Sequence, residues 1–105
     1  MATAEIESGN CGYQTTVRTT AEGGRTMRIE IESTCPHVQK MAEELTSVDP
    51  YREISFRREG PETMRVAAQY LAHAACPVPV GVIKAIEIEA KMALPQDVTI
   101  KLDKE

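Results

Sequence analysis

Residues 25–32, RTMRIEIE, put Met27, Ile29 and Ile31 at every second position, with Arg28, Glu30 and Glu32 between them. A period of two fits a strand with one face buried and the other in water. Glu22-Gly23-Gly24 stands just before it, and glycines there supply the positive φ of a tight turn. Residues 12–20 are rich in threonine and carry Tyr13 and Val17, which suits a strand on the other side of that turn. The two segments predict an antiparallel hairpin. Residues 3–7 alternate more weakly, with Ala4 and Ile6 opposite Glu5 and Glu7.

After the hairpin the period changes to that of a helix. Ser33-Thr34-Cys35-Pro36 reads as a helix entrance, because a proline in the first turn lacks only an N–H that would go unused. Val38, Met41, Ala42 and Leu45 predict a helix over 36–46, closed by Val48-Asp49-Pro50. Residues 51–60, YREISFRREG, alternate Ile54 and Phe56 with charges and read as an edge strand or an extended connection. Pro61 opens a second helix with Val66, Ala67, Tyr70, Leu71 and Ala74 on one stripe. Ala75-Cys76-Pro77-Val78-Pro79 interrupts it, since two such close prolines break a regular helix. A third helix is expected over Val80–Met92, burying Val82, Ile83, Ile86, Ala90 and Ala93, with Lys84 and Glu87 spaced to pair. Val98, Ile100 and Leu102 then alternate with Thr99, Lys101 and Asp103, predicting a final strand over 98–102. The expected fold is a single α+β domain over residues 1–105. It has a small, mainly antiparallel sheet and about three helices packed on one face.

Charge and composition narrow the partners. The net charge is −4, with three Tyr, one Phe and no Trp, so neither a general DNA- or RNA-binding surface nor an aromatic stacking platform for single-stranded nucleic acid is expected. No run approaches the ~20 apolar residues of a membrane span. The opening MATAEIESGN has neither the basic start nor the apolar centre of a secretion signal. The expected location is cytoplasmic, where thiols stay reduced.

The cysteines are three, an odd number that no closed set of internal disulfides can use up. Cys11 precedes the first hairpin strand, Cys35 begins the first helix and Cys76 begins the third. A helix N-terminus favours thiolate, the form that binds metal or attacks electrophiles. A hairpin of equal arms returns Cys35 to the end of the sheet where Cys11 lies. The intervals of 24 and 41 residues contain no local metal motif. Cys11, Cys35 and Cys76 are the candidate metal ligands, with His37 or His73 as a fourth. Buried, inert packing is the alternative for each cysteine.

Two resemblances bear on this pattern. STCPHVQKMAEEL and AHAACPVPVGVIKAIEIEA resemble a small uncharacterised domain family of anaerobic bacteria and archaea. The order Cys11-Gly12, hairpin, Cys35 at a helix start and Cys76 at a later helix start is similar to iron–sulfur cluster scaffold proteins of the NifU/IscU type. That resemblance implies a NifU/IscU-like fold and an iron–sulfur cluster or zinc on the three thiolates. It also implies a sulfur- or iron-delivery protein as partner. Tyr13 stands where those proteins have aspartate, and Ala75 where they have histidine.

Three functions follow as expectations. One is a metal- or cluster-binding scaffold. Another is a thiol-based sulfur carrier or enzyme with Cys76 or Cys35 reactive. The third is a structural or interaction module, a candidate homodimer through a strand edge such as residues 98–102.

Overall fold

The computed structural model describes residues 1–105. Strand β1 (Ala2–Glu7) leads through a short 3-10 turn (Gly9–Cys11) to β2 (Gln14–Ala21) and β3 (Met27–Ser33). Helix α1 (Pro36–Glu44), a two-residue strand β4 (Ser47–Val48) and a four-residue helix α2 (Pro50–Glu53) follow. Helices α3 (Glu62–Tyr70) and α4 (Val78–Glu89) complete the set. The four strands form one antiparallel sheet in the order β1-β2-β3-β4. This is the α+β architecture the periodicity predicts.

The hairpin forms for the reason its alternation implies. Val17 lies opposite Ile31, and Thr19 opposite Ile29. Thr15, Val17, Thr19, Met27 and Ile29 point inward and are buried. Arg28, Glu30 and Glu32 point to water, where Arg18 reaches Glu32 at 2.8 Å. The buried threonines keep their hydroxyls bonded: Thr19 Oγ1 donates to the Ala85 carbonyl at 3.0 Å, and Thr15 Oγ1 is hydrogen-bonded to Ser33 Oγ at 2.7 Å. Unpaired, each would cost about 1–3 kcal/mol.

The helices cover the inner face. Val38 and Met41 of α1, Val66 and Ala67 of α3, and Val78, Val82, Ala85 and Ile86 of α4 join the strand residues in one core cluster. Each large side chain wholly removed from water there contributes about 1.5–3 kcal/mol. At Gly81 helix α4 passes so close to β1 that a β-carbon would collide with the Ile6 side chain.

Four expectations are corrected. Residues 98–102 form no strand; Val98, Ile100 and Leu102 are exposed and unpaired. Alternation selects a face, but a strand also needs a neighbour to receive its hydrogen bonds. Residues 51–60 are not extended. Asp49 accepts the Tyr51 N–H at 3.0 Å and starts α2, and the chain then turns through Arg58 and Gly60, both at positive φ. Helix α4 begins at Val78, because Pro79 fits its first turn, and stops at Glu89, leaving Ala93 exposed. Lys84 and Glu87 make no ion pair. No helix is long and apolar enough to cross a membrane.

Candidate functional site

The strand register decides where the cysteines lie. Glu7 pairs with Gln14, and Thr34 N–H donates to the Gln14 carbonyl at 3.1 Å, so Cys11 and Cys35 share one end of the sheet. Helix α4 also begins at this end, since its Gly81 abuts Ile6. Cys76 lies just before that helix. The expected return of Cys35 toward Cys11 is therefore met, and Cys76 joins the same end.

Sharing an end is not the same as sharing a site. Cys11 is exposed on its 3-10 turn. Cys35 and Cys76 are half-buried and pack against the core cluster. The Cys35 N–H donates to Ser33 Oγ at 3.1 Å, and its side chain makes no capping bond. His37 and His73 are both exposed. No three His, Cys, Asp or Glu side chains gather in an arrangement able to hold a metal ion. The donor set as placed does not fit zinc, which needs four ligands around one point.

Two other features concentrate polar chemistry. Glu53, 1% exposed, ends α2 with its carboxylate under the start of α3. It accepts the N–H groups of Glu62 and Thr63, both at 2.8 Å, and the Thr63 hydroxyl. These are amides that a helix start leaves without internal partners, and a carboxylate also suits the helix dipole. The role is structural, and nothing in the spacing announces it.

Beside it lies a polar cleft of about 510 Å³ lined by Arg25, Thr26, Ser47, Asp49, Arg52 and Glu62. Its cations are already matched: Arg25 meets Asp49 at 3.0 Å, and Arg52 meets Glu59 at 3.1 Å and Glu62 at 3.4 Å. Arg65 bonds to Glu62, and that hydrogen bond is the main cause that holds the Glu62 carboxyl below its ordinary range. Burial opposes the shift, and the charges of Arg65 and Arg52 reinforce it. Across the same network Tyr70 donates to Glu44 at 2.8 Å, which keeps its phenol protonated to higher pH than usual. The cleft is charge-compensated and presents no lone ion to a ligand.

The outer surface between the α2–α3 connection and α4 is different. Ile54, Phe56, Pro61, Met64, Val80 and Ile83 line a groove of about 250 Å³, with Lys84 and Glu87 on its wall. Phe56 is 80% exposed, Ile54 45% and Val80 47%. Arg57 and Arg58 follow Phe56 in the chain; neither they nor Lys84 make an ion pair. Sequence reasoning misses this groove. Its one signal is the Ile54–Phe56 pair among charges, which reads equally well as an edge strand.

Comparison with curated proteins and with solved structures found no match to this chain. Residues 2–102 match a protein family described only as a family of unknown function, and the chain is therefore a member of that family, DUF6951.

Proposed function

We propose that the chain is a protein-binding domain whose working surface is the groove of Ile54, Phe56, Met64, Val80 and Ile83. Its occupant is an acidic segment carrying apolar anchors. The observation that carries this reading is Phe56, the chain's only phenylalanine, left 80% exposed beside other uncovered apolar side chains. An apolar cluster rimmed by polar groups is the usual form of an interaction site. Lys84 and Glu87 line the groove without an ion pair, and Arg57 and Arg58, which follow Phe56 in the chain, make none either. Three free cations against one carboxylate steer acidic partners in preference to basic ones.

Fluorescence anisotropy with two labelled peptides tests it: one acidic and one basic, with the same leucines at helical spacing. The acidic peptide is expected to bind at least tenfold more tightly, with affinity falling as salt is added. Phe56→Ala is expected to weaken binding about tenfold or more, since central aromatics dominate such contacts. Equal binding of both peptides, or no change on Phe56→Ala, refutes the groove.

One observation favours a second reading, a metal or iron–sulfur cluster on Cys11, Cys35 and Cys76. All three lie at one end of the sheet. This reading requires the exposed Cys11 turn to close over Cys35 and Cys76, and a sulfur- or iron-delivery partner would accompany it. Metal analysis of anaerobically purified protein decides. About one zinc or cluster per chain, lost in Cys35→Ser, would establish it.

A further inference from the structure

The segment from Asp97 to Glu105 makes no hydrogen bond, backbone or side-chain, to the rest of the chain. Within it Val98 is 58% exposed, Ile100 74% and Leu102 90%. Thr99, Lys101 and Asp103 separate them. This is the pattern of a half-buried strand, with nothing on either side of it.

A matching vacancy lies at the sheet edge. β1 pairs with β2 on one side only, so its other side is an open edge of six residues. Folded proteins commonly protect such edges with lysine, proline or a bulge. The edge ATAEIE has no lysine, no proline and an unbroken register from Ala2 to Glu7. Its inner face presents Ala2, Ala4 and Ile6, and its outer face presents Thr3, Glu5 and Glu7.

We infer that residues 97–102 add as a fifth strand to the β1 edge of a second copy, making a reciprocal dimer. Both stretches are six residues long, about 20 Å as strands. With Val98, Ile100 and Leu102 on the helix side, the three apolar side chains extend the core beyond Ala4 and Ile6. Lys101 then falls on the outer face, where Glu5 and Glu7 stand. The reverse face would turn Lys101 away from those carboxylates and leave the apolar residues in water. The family match runs from Ala2, the first residue of β1, to Leu102, the last apolar residue of the alternation, so strand and tail belong to one unit. A second copy is the occupant because the tail makes no hydrogen bond to its own β1 and its apolar side chains stay uncovered on their own chain beyond the end of α4 at Glu89. Two tails and two edges satisfy each other about a two-fold axis, the commonest closed arrangement.

Sedimentation of the full chain at micromolar concentration tests this, with Ile100→Pro as the variant. Proline removes a ladder donor from a segment that the folded monomer does not use, so folding is retained. The wild type is expected at twice 11.6 kDa, and Ile100→Pro at one mass with an unchanged circular dichroism spectrum. Zero-length carbodiimide coupling of mixed light and heavy chains is expected to join Lys101 to Glu5 or Glu7 between copies. Phe56→Ala is expected to stay dimeric, which separates this edge from the groove. A monomeric wild type overturns the proposal, as does a dimer that survives Ile100→Pro. Coupling of Lys101 only to its own chain's β1 also overturns it, and assigns the tail to its own edge.

Discussion

The β3 strand and the tail carry the same kind of sequence and meet different fates. Met27, Ile29 and Ile31 alternate with charges, and so do Val98, Ile100 and Leu102. The first three sit against helices, with Met27 and Ile29 buried, while the second three are exposed. The difference lies in the neighbours. β3 has β2 at its side through a five-residue turn, with Glu22 N–H donating to the Thr26 carbonyl at 3.0 Å to close it. The tail has no segment of its own chain beside it. Period two therefore specifies which side chains share a face, and the partner strand decides whether the face exists.

The sharpest way to break the comparison is to place the same charge on both. Ile29→Asp buries an unpaired carboxylate among Val17, Met41 and the other core residues. Its cost is about 4 kcal/mol or more, enough to unfold most of a small domain. Ile100→Asp is expected to leave monomer stability within about 0.5 kcal/mol, because its site is already in water. Urea unfolding followed by circular dichroism reads both. A large loss for Ile100→Asp at concentrations below dimer formation would show that the tail already packs on its own chain.

Next in size is the support that lets α3 and α4 cover the sheet. Glu53→Ala leaves the Glu62 and Thr63 N–H groups without an acceptor in a buried site. A loss of about 2–4 kcal/mol is expected in the same unfolding experiment. Glu59→Ala, at a side chain 82% exposed, is expected to stay within about 0.5 kcal/mol. Similar losses for the two would remove Glu53 from its place as the helix support.

Gly81→Leu probes the seam between α4 and β1 and is expected to cost about 1–3 kcal/mol, since Ile6 occupies the space the new side chain needs. The same change also bears on the tail, because it pushes on the strand whose outer edge the tail would use. Unchanged melting temperature would show that Ile6 repacks freely.

What the sequence makes legible follows from the same distinction. The hairpin and the three longer helices are readable because each is specified by local periods and by Gly or Pro at their ends. β4 is not, since two residues carry no period; it exists because Met27 and Arg28 offer Val48 and Ser47 an edge. The Glu53 carboxylate is invisible for the same reason, as its partners lie nine and ten residues away in a different helix. Cysteine placement is legible as far as the hairpin register carries it, which brings Cys11 and Cys35 to one end. It stops at ligation, which depends on side-chain positions that no period encodes.

The smallest effect marks where the ordered chain hands over to the tail. Glu89 is the last residue of α4, and its carboxylate accepts the Ala21 N–H at 3.1 Å from the end of β2. That backbone hydrogen bond, with the Met1 amine adding a second, holds its carboxyl below the ordinary 4.5, against a smaller opposing effect of burial. A carboxyl depressed in the folded state binds its proton more readily when unfolded. Its contribution is therefore complete above the unfolded value of about 4.5 and disappears as the pH falls through the lower folded value. The side chain is 17% exposed, and the contribution is expected to be below about 1 kcal/mol. Glu89→Gln is expected to flatten the acid limb of the stability profile by that amount and to leave stability at pH 7 slightly lower. The amide retains an acceptor for Ala21 but loses the charge. If the acid limb is unchanged while pH 7 stability falls, the carboxylate acts through its shape and hydrogen bond alone. The boundary between the strand that found a partner and the tail that has not would then owe nothing to charge.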